Sequence, residues 1–469
     1  MISTYQQLLE EATLSFKQLS QKSHAIGTLR LVVTLTILVS IYFAFREKSW
    51  LVAAIILLLL ILFFYLVVIH KKTNLFRKIA QQKIAINEKE IAFLEKNQFF
   101  SANGEEFQDD THPYSYDLDI FGAHSLYQYI NRTHTFLGRK SLAAHFLSPK
   151  ADEIPHLQAV TQELSAEEHL RWRQEFMATT ALIGDTQGFY EQMEQWAAKE
   201  EKALPCLLKF FLWGASLLVI LSLIAGYGWG YEGFKVVCNT LITINLFVFL
   251  TFIGKMQKSK LGFENTYHLL YTFKRSITLI EKATQFKSAR FELLREKLHE
   301  GDESASRSIS QLSRLLDDLD NVGNILVSIP LNILTFYHLH TYRKLLRWKQ
   351  AHAKHIALWL SVIAEVEVLH SFANFSYNNP SFAYPTLNDQ QLISFESLGH
   401  PLIPTKGRVY NTISFASHRF VILTGSNMSG KSTFLRALGV NMLLATMGLP
   451  VCAQKATVYP MKLLVSMRL

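Results

Sequence analysis

The chain has 469 residues, of which 49% are hydrophobic, and it carries a formal net charge of +9. A soluble protein with this many charged helices does not need so apolar a composition, which argues against an ordinary soluble domain. Such a positive charge is typical of proteins that bind either nucleic acid or an anionic membrane surface. The cysteines Cys206, Cys238 and Cys452 are isolated, so they indicate neither a disulfide framework nor a zinc site.

Residues 1–110 form an N-terminal region whose two apolar segments predict a transmembrane hairpin. The second segment, at about residues 50–69, contains nineteen consecutive apolar or aromatic residues. At about 1.5 Å per residue, a helix of that length crosses the roughly 30 Å hydrocarbon layer of a bilayer. The first segment covers about residues 28–46, and the few residues between the two predict a tight turn. No small-residue cleavage site follows a short apolar core, so we expect no cleavable signal.

Residues 111–200 predict several helices, interrupted by two prolines. A second transmembrane hairpin is expected within residues 201–256. Its spans are predicted at about 210–228 and 236–253, joined by glycine and aromatic residues that suit a membrane interface. Aliphatic residues contribute about −0.3 to −0.6 kcal/mol each at the bilayer centre, which favours insertion of both segments.

The basic residues beside these segments predict the orientation of the chain, because lysine and arginine collect on the cytoplasmic side of membrane proteins. These residues are Lys17, Lys22, Arg30, Lys71, Lys72, Arg77, Lys78, Lys209, Lys255, Lys258 and Lys260. We therefore predict a multi-pass protein of the cell membrane, with four spans, and with both termini and the C-terminal region in the cytoplasm. The lipid bilayer is then a partner, and anionic headgroups explain this part of the positive charge better than nucleic acid does.

Residues 257–390 predict a helical lever after the second hairpin. A polar stretch at residues 301–310 predicts a turn between two long helices, and residues 311–346 and 352–375 predict further helices. A basic cluster near the boundary of the last two consists of His338, His340, Arg343, Lys344 and Arg347. It suits either a face that contacts nucleic acid phosphates or an ordinary solvated helix face.

The most specific motif lies in the C-terminal region, residues 391–469. Residues 421–433 read VILTGSNMSGKST, in which an apolar strand-like run leads into the pattern Gly-x-x-x-x-Gly-Lys-Ser. Backbone N–H groups can close around a polyphosphate only where side chains do not intervene, which explains the two glycines. We therefore predict a strand, a phosphate-binding loop and then a helix over residues 434–444.

The loop predicts a site for ATP and Mg²⁺. Its residues are Gly425, Ser426, Asn427, Met428, Ser429, Gly430, Lys431, Ser432 and Thr433. Lys431 would reach the β and γ phosphates, and the hydroxyl of Ser432 would bind Mg²⁺. The positively polarised N-terminus of the following helix would face the phosphates.

This loop and its surroundings resemble the ATPase domain of the MutS family. The pair Asn427-Met428, the stretch MGLPVCAQK at residues 447–455 and the stretch LGHPLI at residues 398–403 carry the resemblance. Patches that resemble the family's helical core lie at residues 117–122, 131–139 and 364–373. The resemblance covers about residues 115–469, with gaps. It implies a multidomain protein with an α-helical core, here with transmembrane helices, followed by the N-terminal part of an α/β P-loop (ABC-type) ATPase domain.

The resemblance also implies catalytic carboxylates that do not follow this loop. In the family a later strand supplies an Asp for the metal and a Glu that polarises the attacking water, groups on which phosphoryl transfer relies. None of the 36 residues after Thr433 is an Asp or a Glu. We therefore expect a fragment truncated before this Walker B strand. Lys431 is then its only catalytic residue, and ATP hydrolysis is completed by residues beyond it.

The resemblance further implies a homodimer through the ATPase domain and the binding of DNA, in mismatched or branched form. The N-terminal region leaves no room for the family's mismatch-reading domains beside a membrane hairpin. The sequence GFYE at residues 188–191 echoes their Phe-x-Glu wedge, but within a helical region it is expected to be ordinary helix packing. The alternative function is ATP-driven remodelling of a membrane complex without DNA. A transporter ATPase is less favoured, because transporter loops are richer in glycine and serine.

Two residues near the loop have further interpretations. His400 with Pro401 is expected to form a structural turn rather than a catalytic pair. Arg408 occupies the place where relatives put a ring against the adenine, and its guanidinium plane could stack there instead.

Overall fold

A computed structural model describes residues 1–47, 50–184, 187–201, 204–259, 266–300, 303–320, 322, 325–415, 420–426 and 429–467. Most of the described residues are helical, and the chain divides into two compact units. Unit 1 consists of Met1–His134, Leu142–Leu182 and Glu367–Leu469, and unit 2 consists of Thr135–Ser141 and Ile183–Val366. Unit 1 therefore contains both the N-terminal hairpin and the loop at residues 425–433.

Two long helices, α1 (Ile2–Glu47) and α2 (Trp50–Lys96), form an antiparallel hairpin in unit 1. At about 1.5 Å per residue, each is roughly 70 Å long. The halves of the two helices next to the turn between them carry exposed apolar side chains. Residues 2–27 and 70–96, here called the stalk, are more polar. The predicted apolar segments are thus the outer parts of longer helices. Residues 48 and 49 of the predicted turn lie outside the described residues.

Among the described residues, five helices are long and apolar enough to cross a membrane, judged by length and composition alone. Four of them contain the predicted spans, at Ile2–Ala44, Leu51–Lys96, Leu207–Gly228 and Glu232–Lys258. Their most apolar windows are between 6% and 28% buried within the protein, so most side chains there face outward. The fifth, Tyr337–Asn378, is 78% buried in its window and belongs to the helical core.

Four shorter helices follow the N-terminal hairpin in the chain. They are α3 (Leu126–Ile130), α4 (Phe136–Leu147), which begins in unit 2, α5 (Ile154–Ser165) and α6 (Leu170–Ala181). Helix α6 contacts α2 through a reciprocal amide pair. Gln174 donates to the side-chain oxygen of Asn87 at 2.6 Å, and Asn87 donates back at 3.3 Å. This buried pair fixes the register between the stalk and α6.

Unit 2 is also helical, which confirms the predicted helical core. Its helices are α7 (Gln187–Ala198), α8 (Cys206–Leu223), α9 (Glu232–Lys258), α10 (Thr266–Glu281), α11 (Ala289–Glu296), α12 (Ala305–Asp320), α13 (Ile325–Thr335), α14 (Tyr337–His352) and the first part of α15 (Ile356–Asn378). A short antiparallel pair, β1 (His299–Glu300) and β2 (Glu303–Ser304), precedes α12. Phe189 of α7 is fully buried and stacks on Phe273 of α10 at 5.8 Å, which confirms that GFYE is ordinary helix packing.

The predicted turn over residues 301–310 is wrong, because α12 begins at Ala305. The carboxylate of Glu281, at the end of α10, accepts hydrogen bonds from the main-chain N–H of Ser306 at 3.1 Å and from its hydroxyl at 2.5 Å. This contact satisfies a main-chain donor in the first turn of α12, so the helix starts within polar sequence. Residues 301 and 302 lie outside the described residues.

The single helix predicted over residues 311–346 is also wrong, because that stretch contains the end of α12, all of α13 and the start of α14. The helix is interrupted at Phe336, whose φ of 49° lies in the left-handed region. The amide of Asn332 donates to the carbonyl of Ser328 at 2.6 Å and accepts from the main-chain N–H of His338 at 3.0 Å. A side chain thus replaces the helix hydrogen bonds that the break removes.

A small mixed sheet lies in the C-terminal part of unit 1. Its strands are β3 (Thr386–Leu387), β4 (Ser394–Leu398), β5 (Asn411–Ser414) and β6 (Lys455–Val458), in the order β3-β6-β4-β5. Strands β3 and β6 are parallel, whereas β4 is antiparallel to both β6 and β5. Helix α16 (Lys431–Thr446) lies between β5 and β6 in the chain and confirms the helix predicted after the loop.

The strand predicted before the loop is wrong for this structure. Residues 420–426 belong to no strand, and the side chains of Val421 and Ile422 are exposed. A strand forms where a neighbour accepts and donates its main-chain hydrogen bonds, and no described strand pairs with this segment. The apolar residues 463–467 form no strand either, and the main-chain N–H of Val465 donates to the carbonyl of Pro113 at 2.9 Å. Residues 468 and 469 lie outside the described residues.

A buried polar cluster, here called the Glu90 cluster, joins the stalk to the end of α15. Glu90 of α2 pairs with Arg132 and accepts hydrogen bonds from the amides of Asn374 and Asn378 at 3.1 and 3.0 Å. The hydroxyl of Tyr5 on α1 lies 3.2 and 3.0 Å from the oxygens of the same two amides. Three separate parts of the chain therefore meet at one carboxylate.

Arg132 is fully engaged within this cluster. Its guanidinium contacts both oxygens of Glu90 and donates to the carbonyls of Tyr129 and Asn131 at 3.1 and 2.9 Å. It also lies over the ring of Phe93, 4.7 Å from the centroid. Because both charged groups are nearly buried and hydrogen-bonded, their mutual attraction offsets their loss of water.

The Glu90 cluster predicts a large effect of Glu90→Gln. This change removes the charge that faces Arg132 and leaves a buried cation without a counter-ion, so we expect a loss of about 3 kcal/mol in the free energy of unfolding. The measurement is thermal unfolding of the protein in detergent micelles, followed by tryptophan fluorescence. Glu95→Gln, on the exposed side of the same helix, is the matched control. Equal unfolding temperatures for the two variants would contradict the assignment.

His134, next to this cluster, predicts a loss of stability in mild acid. Burial lowers the pKa of His134 to about 4, and the charges of Lys89 and Arg132 add to the effect. An unfolded chain binds the proton below about pH 6.5, whereas the folded protein does so only near pH 4, so the free energy of unfolding falls as the pH decreases through that window. Between pH 7.5 and pH 5 we expect this one group to account for about 1 to 2 kcal/mol.

The same unfolding measurement on His134→Gln, at pH 7.5 and at pH 5, isolates this contribution. The variant should lose less stability on acidification than the unchanged protein does. His156→Gln, at an exposed histidine of α5, controls for the removal of an imidazole as such. If both variants lose as much stability as the unchanged protein, another group is responsible.

Candidate functional site

The loop at residues 425–433 reaches α16 through a glycine whose conformation requires that residue type. Gly430 has a φ of +85°, in the left-handed region, and α16 begins at the next residue, Lys431. Gly425 has a different reason, because a side-chain carbon there would lie 2.9 Å from the hydroxyl oxygen of Ser429. Both glycines of the motif are therefore dictated by the local fold.

Lys431 folds back across this loop. Its ammonium group donates to the carbonyl oxygens of Gly425 and Ser426 at 2.5 and 2.6 Å. The side chains of Ser432 and Thr433 are exposed at the first turn of α16. The structure thus brings together the described members of the predicted site, whereas Asn427 and Met428 lie outside the described residues.

The loop forms one wall of an open cleft of about 820 Å³ in unit 1. The cleft is also lined by residues around β4 and β5, among them His400, Val409 and Ile413. Its size lies within the range of small-molecule sites. None of the described residues that line it is an Asp or a Glu, so with Lys431 in its wall the cleft suits an anionic ligand.

Asn441, which the sequence did not single out, fastens α16 behind this cleft. Its amide donates to the carbonyl of Gly399 at 2.9 Å, and its oxygen accepts from the main-chain N–H of Cys452 at 2.6 Å. Gly399 in turn donates to the carbonyl of Cys452 at 2.8 Å. The sequence did contain a signal for this role. Asn441 is the only polar residue in the apolar run VNMLL, and an amide buried in such a run needs hydrogen-bond partners.

His400 and Pro401 form the structural turn that the sequence predicts. The Nδ1 atom of His400 accepts a hydrogen bond from the main-chain N–H of Leu402 at 3.3 Å. Burial lowers the pKa of His400 to about 4, and the positive charges of Arg436 and Arg408 contribute. The ring is therefore neutral at pH 7 and serves as an acceptor within the turn.

Arg408, for which the sequence suggested stacking on an adenine, contacts other parts of the protein in this structure. The guanidinium donates to the carbonyls of Ile403 and Pro401 at 2.9 and 3.2 Å, and it lies 5.4 Å from the ring centroid of Phe382. One face of the guanidinium and two of its nitrogens are thus engaged within the protein, and stacking on an adenine stays a prediction. Its neighbours Gly407 and Val409 line the cleft instead.

The basic residues of α14 do not form one surface. His338 and Arg343 are buried, whereas Lys344 and Arg347 are exposed. Neither a phosphate-binding face made of all of them nor a fully solvated face describes this helix. Within the described part of the chain, no three His, Cys, Asp or Glu side chains lie together in a group that could hold a metal ion.

Comparison with known proteins identifies the segment that contains this loop. A model of the family MutS domain V matches residues 421–467, which include the loop and α16. The chain is 36% identical over 114 residues to the DNA mismatch repair protein MutS of Granulibacter bethesdensis, covering 23% of this chain and 12% of that protein. It is 36% identical over 99 residues to the protein of the same name from Streptococcus mutans, covering 20% and 12%.

A third relative with this name, from Halothermothrix orenii, is 34% identical over 110 residues, covering 22% of this chain and 12% of the relative. The chain thus spans about an eighth of the length of each of these relatives, and the match is confined to about a fifth of its own. In this C-terminal segment, the chain is similar to proteins of the MutS family.

Proposed function

We propose that the loop at residues 425–433 binds ATP with Mg²⁺. The observation that carries this proposal is the position of Lys431, whose ammonium lies across a loop that reaches α16 through the conformationally required Gly430. The carbonyl oxygens that it contacts hold this cation where the phosphates of a nucleotide would approach. The exposed N-terminus of α16 adds main-chain N–H donors and a partial positive charge.

Each side chain of the loop has a defined task in this proposal. Lys431 would contact the β and γ phosphates in place of its two carbonyl oxygens, and the exposed hydroxyl of Ser432 would hold a Mg²⁺ ion. When bound, that ion would neutralise phosphate charge. Hydrolysis also needs a carboxylate that orients water, and the described residues of the cleft supply none. We therefore propose nucleotide binding for this chain and ATP hydrolysis for a complete MutS-type ATPase domain.

We also propose that the α1–α2 and α8–α9 hairpins anchor the protein in a bilayer as four spans. The support is the outward-facing apolar surface of these helices, because the exposure of so much apolar surface to water would cost considerable free energy. Ten lysines and arginines lie between Glu11 and Glu88; eight of them flank the two apolar segments on the stalk side, and two, Arg46 and Lys48, lie at the turn beside Glu47, the one acidic residue of this stretch. This bias favours a stalk on the cytoplasmic side, next to anionic headgroups.

DNA is the partner that the relatives' names suggest, and a homodimer through the ATPase domain would complete the nucleotide site. We propose a membrane-anchored MutS-like protein that binds DNA and couples nucleotide occupancy to its anchor. The Glu90 cluster supports the coupling, because it ties the stalk to α15 within the unit that holds the loop. The alternative function is remodelling of a membrane complex without DNA, and the contact between the stalk and α15 at the Glu90 cluster supports that function equally well.

Lys431→Ala tests the nucleotide site. Loss of a charged donor to phosphate costs about 1.5 to 3 kcal/mol, so the Kd for MgATP should rise about tenfold to a hundredfold. The measurement is a titration of the detergent-solubilised protein with a fluorescent ATP analogue. Lys462→Ala, an exposed lysine outside the cleft, should leave the Kd unchanged. Equal affinities for the two variants would remove the loop from nucleotide binding.

DNA binding is tested with the full chain in nanodiscs of zwitterionic lipid, with and without ATP, over a series of salt concentrations. We expect mismatched or branched duplexes to bind at physiological salt at least about tenfold more tightly than homoduplex. Specific contacts survive salt that removes a purely electrostatic attraction. Weak binding that disappears at physiological salt on every substrate would instead favour remodelling without DNA.

A further inference from the structure

Helix α13 is far more apolar than α12 and α14, its neighbours in the chain. The run from Asn321 to Phe336 reads NVGNILVSIPLNILTF and has no charged residue. It is too short to cross a bilayer, because the 11 residues of α13 span about 16 Å, roughly half of the hydrocarbon layer. An apolar helix of this length is either a buried core helix or a segment that enters a membrane and returns.

The packing partners of α13 favour the second possibility. Helix α13 contacts both α8 and α9, the two helices of the second predicted hairpin. The amide of Asn245 on α9 donates to the carbonyl of Ile333 at 2.8 Å. Asn245 is fully buried and lies near the middle of the apolar window of α9. If α9 spans the bilayer, the end of α13 is therefore inside it.

Helix α14 gives the return path. The ring of His340 lies 5.0 Å from the ring of Trp213, which is near the Lys209 end of α8. In the proposed bilayer, the contact at Asn245 therefore lies deeper below the cytoplasmic surface than the contact at Trp213. A further turn along, Lys344 is exposed, as expected for a residue that has returned to water.

The break between α13 and α14 suits an apolar environment. Phe336 is fully buried, and its main-chain N–H donates to the carbonyl of Asn332 at 3.0 Å. The side chain of Asn332 accepts from the main-chain N–H of His338, and the carbonyl of Phe336 accepts from His340 at 2.9 Å. Irregular backbone is tolerated at membrane depth only when its polar groups are satisfied within the protein in this way.

We propose that α13 and the first turn of α14 form a re-entrant loop, which enters the cytoplasmic leaflet beside α8 and α9 and leaves again without crossing. This inference rests on the proposed membrane anchoring of the α8–α9 hairpin. Its partner is the acyl-chain layer of the bilayer, which covers the side of α13 that the protein leaves exposed. The second hairpin is then a three-element membrane unit, with Asn245 and Ile333 as its internal hydrogen bond.

The test is the accessibility of single cysteines to a charged, membrane-impermeant maleimide. The background carries Cys206→Ala, Cys238→Ala and Cys452→Ala in the full chain, reconstituted in open membrane sheets so that both faces meet the reagent. Thr335→Cys and Pro330→Cys report on α13, at two positions whose side chains are exposed in the protein itself. Leu217→Cys on α8 is the membrane control, and Lys344→Cys on α14 is the aqueous control.

We expect Thr335→Cys and Pro330→Cys to react at least about tenfold more slowly than Lys344→Cys, and as slowly as Leu217→Cys, because a thiol in an apolar layer stays protonated and meets no reagent. Complete labelling after denaturation shows that each cysteine is intact. A thermal unfolding temperature equal to that of the background shows that each variant is folded, and if one α13 variant does not fold, the other still reports on this helix.

Fast labelling of both α13 cysteines, with Leu217→Cys protected, would overturn the re-entrant loop and leave the anchoring in place. Fast labelling of Leu217→Cys as well would overturn the anchoring by the second hairpin, and the inference with it. Protection of Leu217→Cys and of both α13 cysteines, with Lys344→Cys reactive, is the result that supports the proposal.

Discussion

The structure of unit 1 depends on one buried charge pair, between Glu90 and Arg132. Helix α2 supplies the carboxylate, the segment before α4 supplies the guanidinium, and the last turns of α15 supply the amides of Asn374 and Asn378. Elements that are hundreds of residues apart in the chain therefore share one set of hydrogen bonds. A pair of charges removed from water tolerates little displacement, because each depends on the other for its compensation. The N-terminal hairpin is consequently held in a defined position against α15.

Local patterns in the sequence predicted the parts of this fold that local forces determine. The helical regions, the long apolar segments, the helix after the loop and the turn at His400 all follow from hydrophobic spacing or from a proline beside a polar side chain. The packing role of Phe189 followed from its place within a helical pattern. These features need only a few neighbouring residues, so a single sequence contains enough information to find them.

Contacts between distant residues explain what the sequence could not predict. Glu281 starts α12 within a polar stretch, and Asn332 stabilises a break within an apolar one. Asn441 and Arg408 bind main-chain groups whose positions are known only after the chain has folded. The apolar run before the loop fits a strand by composition, yet a strand also needs partners, and none of the described strands pairs with it. The sequence therefore predicted the loop motif, but it did not predict which segments form the strands of the sheet around it.

The length of the stalk has a consequence for encounters between molecules. About twenty residues separate the end of the apolar segment near Ile69 from Glu90, which is roughly 30 Å of helix. The loop at residues 425–433 belongs to the same unit as this stalk, so it would be confined to a thin layer beside the bilayer in which α1 and α2 are proposed to sit. Confinement of this kind raises the local concentration of two copies in the same membrane far above their average in the cell. A weak affinity between two such loops is then enough for them to meet, and lateral diffusion rather than a strong interface can set how often they do.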